Sequence, residues 1–229
     1  MLEINDLHTY YGDSHVLQGV DLSVQRAQVV ALLGRNGVGK STLARSVMGL
    51  TPARRGTISF QDRDITQSSP HRIARGGIGY VPQGRQVFGS LTVKEHLEVT
   101  ARGRGPWTFD QVIDLFPNLG NRLTSLAAKL SGGEQQMLAV ARALVGNPAM
   151  LIMDEPTEGL APIVVKELGR TIDSLKKFGT SILLIEQQLT FALRCADTVL
   201  IMSKGRIVHR CSPAELRADQ AIKARYLGI

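Results

Sequence analysis

Three short stretches carry residue types whose spacing could grip and attack a phosphate ester. "GRNGVGKS", residues 34–41, fits the pattern of a Gly, four residues and then Gly-Lys-Ser. Gly34, Gly37 and Gly39 would let backbone N–H groups wrap phosphates, Lys40 would reach the β- and γ-phosphates, and Ser41 could ligate Mg²⁺. A glycine-rich turn with an adventitious Lys is the bland alternative. The flanks argue against it, because the apolar run "QVVALL" precedes the stretch and helix-like "KSTLARSVM" begins at Lys40.

The second stretch, "AMLIMDEP", residues 149–156, ends a buried-looking strand on two acids. Asp154 is the natural metal partner, through water, and Glu155 can orient and polarise a water for in-line attack on a γ-phosphate. An exposed acidic turn would look similar without the earlier loop. The third stretch, "KLSGGEQQML", residues 129–138, places Ser131 and two glycines at a helix start, where free N–H groups and the helix dipole attract anions. On the helix alone, an anion site and a plain capped helix both stay open. A second grip makes sense chiefly if it faces a nucleotide held by another subunit.

The elements that must position these stretches follow from periodicity. "LEINDL", "GVDLSV" and "GTISF" alternate apolar and polar residues, the period of half-buried strands. "QVVALLG", "AMLIMDE" and "TSILLIE" are continuous apolar runs, as in strands covered on both faces. Gly49 is expected to cap the first helix. Between Thr92 and Leu144 only helical signals are found, including capping boxes at Thr92 with Glu95 and Ser131 with Glu134. A helix from Pro162 to Phe178 shows Val165, Leu168, Ile172 and Leu175 on one face, with Gly179 closing it. "TVLIMSKGRIVHR" reads as a hairpin, and Ser212 with Glu215 starts a last helix. Strand–helix–strand alternation implies a mostly parallel sheet with right-handed crossovers.

Composition narrows the classes. At 229 residues and 43% hydrophobic, with no low-complexity segment, the chain can bury a sizeable core. Its longest apolar runs fall far short of the ~20 residues that cross a bilayer. The N-terminus "MLEINDLHTYY" lacks a charged-then-apolar leader, so export is not expected. Cys195 and Cys211 have no metal-ligand spacing and read as reduced thiols. The net charge of +7 comes from scattered basic residues without interleaved aromatics, so a direct nucleic-acid role is not expected.

The order of "GRNGVGKS", "YVPQ", "LSGGEQQ" and "LIMDEP" resembles the ATPase subunits of ABC transporters over essentially the whole chain. The resemblance implies an α/β fold: a P-loop NTPase (RecA-like) core with a mostly parallel sheet, an antiparallel β edge subdomain and a helical insert. It implies one domain over 1–229, with core in 1–83 and 145–229 and the helical signature part in 84–144. It implies ATP and Mg²⁺ as ligands, with Arg35, Asn36, Val38 and Thr42 joining the phosphate loop and Tyr11 stacked on adenine near Val16. Gln83 would meet Mg²⁺ and the attacking water while coupling to a membrane partner; Ser41 and Asp154 complete the metal set. Ser131, Gly132, Gly133 and Glu134 would act in trans, on ATP held by a second, different ATPase subunit. Gln187, in "IEQQL", stands where many members have His, and Ala161 where many have Asp.

"YYGDSHVL", "VPQGRQVF" and "DEPTEGLAP" resemble the smaller ATPase subunit of importers for branched-chain amino acids and for urea or short amides. That implies transmembrane permease partners, a peripheral place on the cytoplasmic face and no direct solute binding. Two other classes compete. A P-loop kinase or GTPase would need an acceptor pocket or a guanine-reading element, and neither is visible. A non-transport ABC protein acting on a soluble assembly or nucleic acid usually carries two ATPase domains or long insertions.

Overall fold

A computed structural model describes residues 1–102 and 105–228. Its strands fall into two sheets. β1 (Leu2–Tyr11), β2 (Ser14–Val24), β4 (Arg55–Phe60) and β5 (Arg63–Asp64) form an antiparallel sheet in the order β2-β1-β4-β5. β3 (Val29–Leu33), β6 (Ile78–Val81), β7 (Met150–Asp154), β8 (Ser181–Glu186), β9 (Thr198–Ser203) and β10 (Arg206–Cys211) form the second, in the order β10-β9-β3-β8-β7-β6. Only β10 runs antiparallel there, in the hairpin expected from "TVLIMSKGRIVHR".

The helices are α1 (Lys40–Val47), α2 (Pro70–Arg75), α3 (Val93–Thr100), α4 (Phe109–Leu115), α5 (Pro117–Gly120), α6 (Gly132–Leu144), α7 (Pro162–Lys177), α8 (Leu189–Cys195) and α9 (Pro213–Ala218), followed by short turns to Leu227. The expected capping boxes form at Thr92, Ser131 and Ser212, with reciprocal side-chain and backbone hydrogen bonds. A fourth, Thr108 with Gln111, starts α4. Gly49 and Gly179 follow α1 and α7 with φ of 68° and 84°, the left-handed stop that favours glycine. The stretch expected to be helical throughout also contains a single bridge between Thr92 and Leu126.

Alternation along the central strands divides the core. Val30, Leu32, Ile152, Leu183 and Ile185 join the antiparallel sheet and α1 on one face. Leu151, Met153, Ile182 and Leu184 join α3, α4, α6 and α7 on the other. Both faces are covered, which is why these strands read as unbroken apolar runs. Burying one such Leu or Ile contributes roughly 1.5–3 kcal/mol. Since β3, β8, β7 and β6 are parallel neighbours, the loops leaving their carboxyl ends open along one edge.

The tip of the β9–β10 hairpin reaches that edge. Gly205 N–H donates to Val38 O and Gly205 O accepts from Gln18 N–H, both at 2.9 Å, so the turn joins the loop of residues 34–41 to β2. Gly205 has φ of 75°, and a Cβ there would stand 2.0 Å from Val16 O. Gly12 has φ of 56° but open space around it. Gly205→Ala should therefore lower unfolding free energy by about 2–4 kcal/mol, and Gly12→Ala by about 1 kcal/mol. Urea titration of the two variants measures the difference.

Candidate active site

The loop of residues 34–41 links β3 to α1. Gly37 and Gly39 take φ of 79° and 110°, and a Cβ on Gly39 would press on Leu17. Gly34 passes so close to β9 that a Cβ would meet Met202 O at 2.4 Å. Lys40 is buried, and its Nζ donates to Gly34 O at 2.9 Å and to Arg35 O at 3.2 Å. The side chain thus folds back over the loop it belongs to.

Asp154, the last residue of β7, accepts from Ser41 Oγ at 3.1 Å on Oδ1 and from Tyr80 Oη at 3.4 Å on Oδ2. Burial pushes the Asp154 carboxyl above its ordinary range; the Ser41 bond opposes this, and nearby Glu155 adds to the rise. The same burial, with Asp154 opposite, raises the Tyr80 phenol. Glu155 follows in a left-handed conformation with φ of 48°, its N–H held by Ile185 O at 2.9 Å. Its carboxylate is a meeting point. Gln187 Nε2 donates to Oε1 at 2.6 Å, Lys40 Nζ lies 3.4 Å from the same oxygen, and Gln83 Nε2 donates to Oε2 at 3.2 Å. Gln83 also donates to Glu158 Oε2 at 3.0 Å.

Lys40, Ser41, Gln83, Glu155, Glu158 and Gln187 line a cleft of about 290 Å³ with Val16, Asn36, Gly37, Gly39 and Thr42, while Asp154 and Tyr80 lie outside its lining. Tyr11 lies outside that lining, 46% exposed, with its hydroxyl 3.3 Å from Thr51 Oγ1. Partial burial alone would raise its phenol, but Thr51, Thr42 and Arg45 outweigh that and lower it. Ser131, Gly132, Gly133 and Glu134 do not join the cleft either. They border a separate hollow of about 670 Å³ with Gly159 and Ala161. Ser131 Oγ accepts from Glu134 N–H, Glu134 accepts from Ser131 N–H, and that second bond holds the Glu134 carboxyl below its usual range. Arg85 lies over Gly132, where a Cβ would meet its guanidinium at 2.5 Å, and donates to Gly159 O at 3.4 Å.

The ABC transporter family model matches residues 17–158. The chain belongs to the ABC transporter family. As an ABC transporter ATP-binding domain it binds and hydrolyses ATP. Among relatives, the high-affinity branched-chain amino acid transport ATP-binding protein BraG of Pseudomonas aeruginosa is 38% identical, with all of both chains covered. The lipopolysaccharide export system ATP-binding protein LptB of Escherichia coli is 33% identical, covering 99% of this chain and 97% of the relative. A solved ATP-binding subunit of an ABC transporter superposes with a TM-score of 0.84 at 31% identity, over 95% of this chain and 92% of that one.

Within this ABC ATPase, sequence reasoning assigned no role to Tyr80, Thr157, Glu158, Arg85 or Glu186. Tyr80 stood inside the "YVPQ" motif, but only the fold shows its hydroxyl on Asp154. Glu186 is buried and accepts from Thr157, Gln187 and Gln188. Desolvation raises its carboxyl, and those donors pull against the rise.

Asp154 has a consequence for stability. A carboxyl raised in the folded state carries its stability below the ordinary value and loses it as pH rises through the raised one. Both partners of Asp154 are hydroxyls that can turn to accept, so an amide fits. Asp154→Asn should therefore raise the thermal midpoint of the nucleotide-free protein at pH 7. That gain should shrink as pH falls through the raised value, and vanish below about 3.8. Thermal melts across pH check the sign.

Proposed function

We propose that this chain is the ATP-hydrolysing subunit of an importer for branched-chain amino acids or for urea and short amides. The observation that carries the chemistry is the Glu155 carboxylate, met by Lys40, Gln83 and Gln187 from three other segments of the chain. Glu155 orients and polarises the attacking water, Gln187 fixes that carboxylate, and Lys40 turns from Gly34 O and Arg35 O to the β- and γ-phosphates. The amides of residues 34–41 wrap the phosphates, assisted by Thr42, while Tyr11, half exposed and neighbouring Thr42, stacks on adenine beside Val16.

Ser41 and Asp154 offer hard oxygen donors 3.1 Å apart, with the Gln83 amide nearby, and a buried carboxylate of this kind suits a divalent cation. The residues fit Mg²⁺ that keeps waters and takes phosphate oxygens. The ion would neutralise charge developing on the phosphates.

Ser131, Gly132, Gly133 and Glu134 close on ATP held by a second, different ATPase subunit; their separation from this chain's own cleft supports that reading. A groove of about 460 Å³ between β6 and the helices of residues 93–144, bordered by exposed Val99, suits docking of a transmembrane permease. No helix among the described residues is long and apolar enough to cross a membrane, so the permeases would hold the chain at the cytoplasmic face. The importer assignment leans on BraG, and the similarity to LptB makes an export complex the outcome to exclude. Purifying the assembled complex and testing which solute stimulates its ATPase decides between them.

Two substitutions separate binding from turnover. Lys40→Ala should weaken ATP binding by about tenfold or more, the worth of a hydrogen bond to a charged group. Glu155→Gln should keep ATP bound while lowering turnover by roughly 10²–10⁴-fold. Normal turnover in a complex whose only competent site depends on Glu155 refutes its role.

Gln187 stays neutral at every pH, whereas imidazole titrates near neutrality. In the assembled complex, with the partner's catalytic glutamate disabled, Gln187→His should speed turnover and make it more pH-sensitive. An unchanged rate and profile would count against an active-site role for Gln187.

A further inference from the structure

Glu186, the last residue of β8, is 1% exposed, and the ion pairs among the described residues do not include it. Four donors converge on it instead. Oε1 accepts from Thr157 N–H at 3.2 Å and from the Thr157 hydroxyl at 2.7 Å. Oε2 accepts from Gln187 N–H at 3.0 Å and Gln188 N–H at 3.1 Å. Each oxygen therefore serves one loop: Oε1 the segment leaving Glu155, Oε2 the segment carrying Gln187.

The free ends of those loops meet where the Gln187 amide donates to Glu155 Oε1 at 2.6 Å. Glu155 itself sits at φ of 48°, a conformation that persists in a non-glycine residue only when its surroundings over-determine it. Ile185 O fixes its N–H and the bonds to Thr157 fix the chain two residues on. We propose that Glu186 is a positioning residue for ATP hydrolysis, a bracket that holds the carboxylate of Glu155 against Gln187.

The chemistry of the four partners explains why a carboxylate stands here. An amide has one acceptor oxygen. Turned toward Gln187 and Gln188, it presents NH₂ to Thr157; the hydroxyl can rotate to accept, but the Thr157 N–H is left without a partner. Turned the other way, two backbone N–H groups face the NH₂. Only a carboxylate serves both loops at once, and burying it without a cation is a cost that packing alone would not sustain.

This inference rests on the reading of Glu155 given above, and the test keeps the two apart. Glu155→Gln, Glu186→Gln, Thr157→Val, Thr157→Ser and the Glu186→Gln/Thr157→Val double variant are purified in the native transporter complex. ATPase kinetics, binding of a fluorescent ATP analogue and thermal midpoints are measured. Glu186→Gln and Thr157→Val should each lower kcat by about tenfold with KM held within about twofold, as expected when a reacting group is displaced slightly. Thr157→Ser, which keeps the hydroxyl, should turn over like the wild type. The double variant should be no slower than Glu186→Gln alone, because both changes open the same bracket.

Wild-type kcat in folded Glu186→Gln, losses confined to KM, or additive losses in the double variant would overturn the bracket. If Glu186→Gln does not fold, the contrast between Thr157→Val and Thr157→Ser carries the test, and equal kcat in those two overturns it. Turnover that survives Glu155→Gln overturns the underlying reading instead.

Discussion

Three carboxylates, those of Asp154, Glu155 and Glu186, are held nearly out of water at the ends of two adjacent parallel strands. Charge in such a place is unfavourable unless every oxygen finds a donor, and the surrounding structure supplies them. Ser41 and Tyr80 serve Asp154; Gln83 and Gln187, with Lys40 close by, serve Glu155; backbone and hydroxyl groups serve Glu186. The donors come from separate parts of the chain, so satisfying the acids also fixes the loops relative to one another.

The parallel register makes that possible. Leu33 pairs with Glu186 and Asp154 with Ile185, which brings the phosphate loop, the acidic pair and the Gln187 segment to the same level of the sheet. The antiparallel sheet and α1 cover one face, and the helices of residues 93–144 cover the other with α7. Each layer removes water from one face of the strands, and the first also lends its rim to the cleft, through Lys40, Ser41 and Thr42 at the start of α1 and Val16 of β2.

Much of this was legible in the sequence. Local signals sufficed where one residue determines its own surroundings: apolar runs for the covered strands, Ser or Thr with an acid three residues on for helix starts, Gly49 and Gly179 for helix ends. The loop of residues 34–41 and the acidic pair stood out by their spacing, and the fold brings them together, Ser41 onto Asp154 and Lys40 beside Glu155. Glu186 was not, since an acid after "SILLI" looks like any strand end until Thr157, 29 residues earlier, is seen beside it. Gly205 escaped for the same reason: the turn was readable, but its bonds to Val38 and Gln18 are not written locally. Tyr80 alternates plausibly in a strand, and only the neighbouring strand reveals what its hydroxyl meets.

The strand order also dictates a sequence of events on the ribosome. β3, which ends at residue 33, is flanked in the finished sheet by β8 and β9, whose residues are 181–186 and 198–203. A nascent chain that has emerged to α6 therefore owns the whole phosphate loop but neither of the neighbours that hold its strand. Synthesis proceeds at roughly 5–20 residues per second, so this strand waits seconds for its partners. Throughout that interval its apolar residues need another cover. The loop of residues 34–41 is made long before Glu155 and Gln187, the groups it must meet, and takes its place in the sheet only after them.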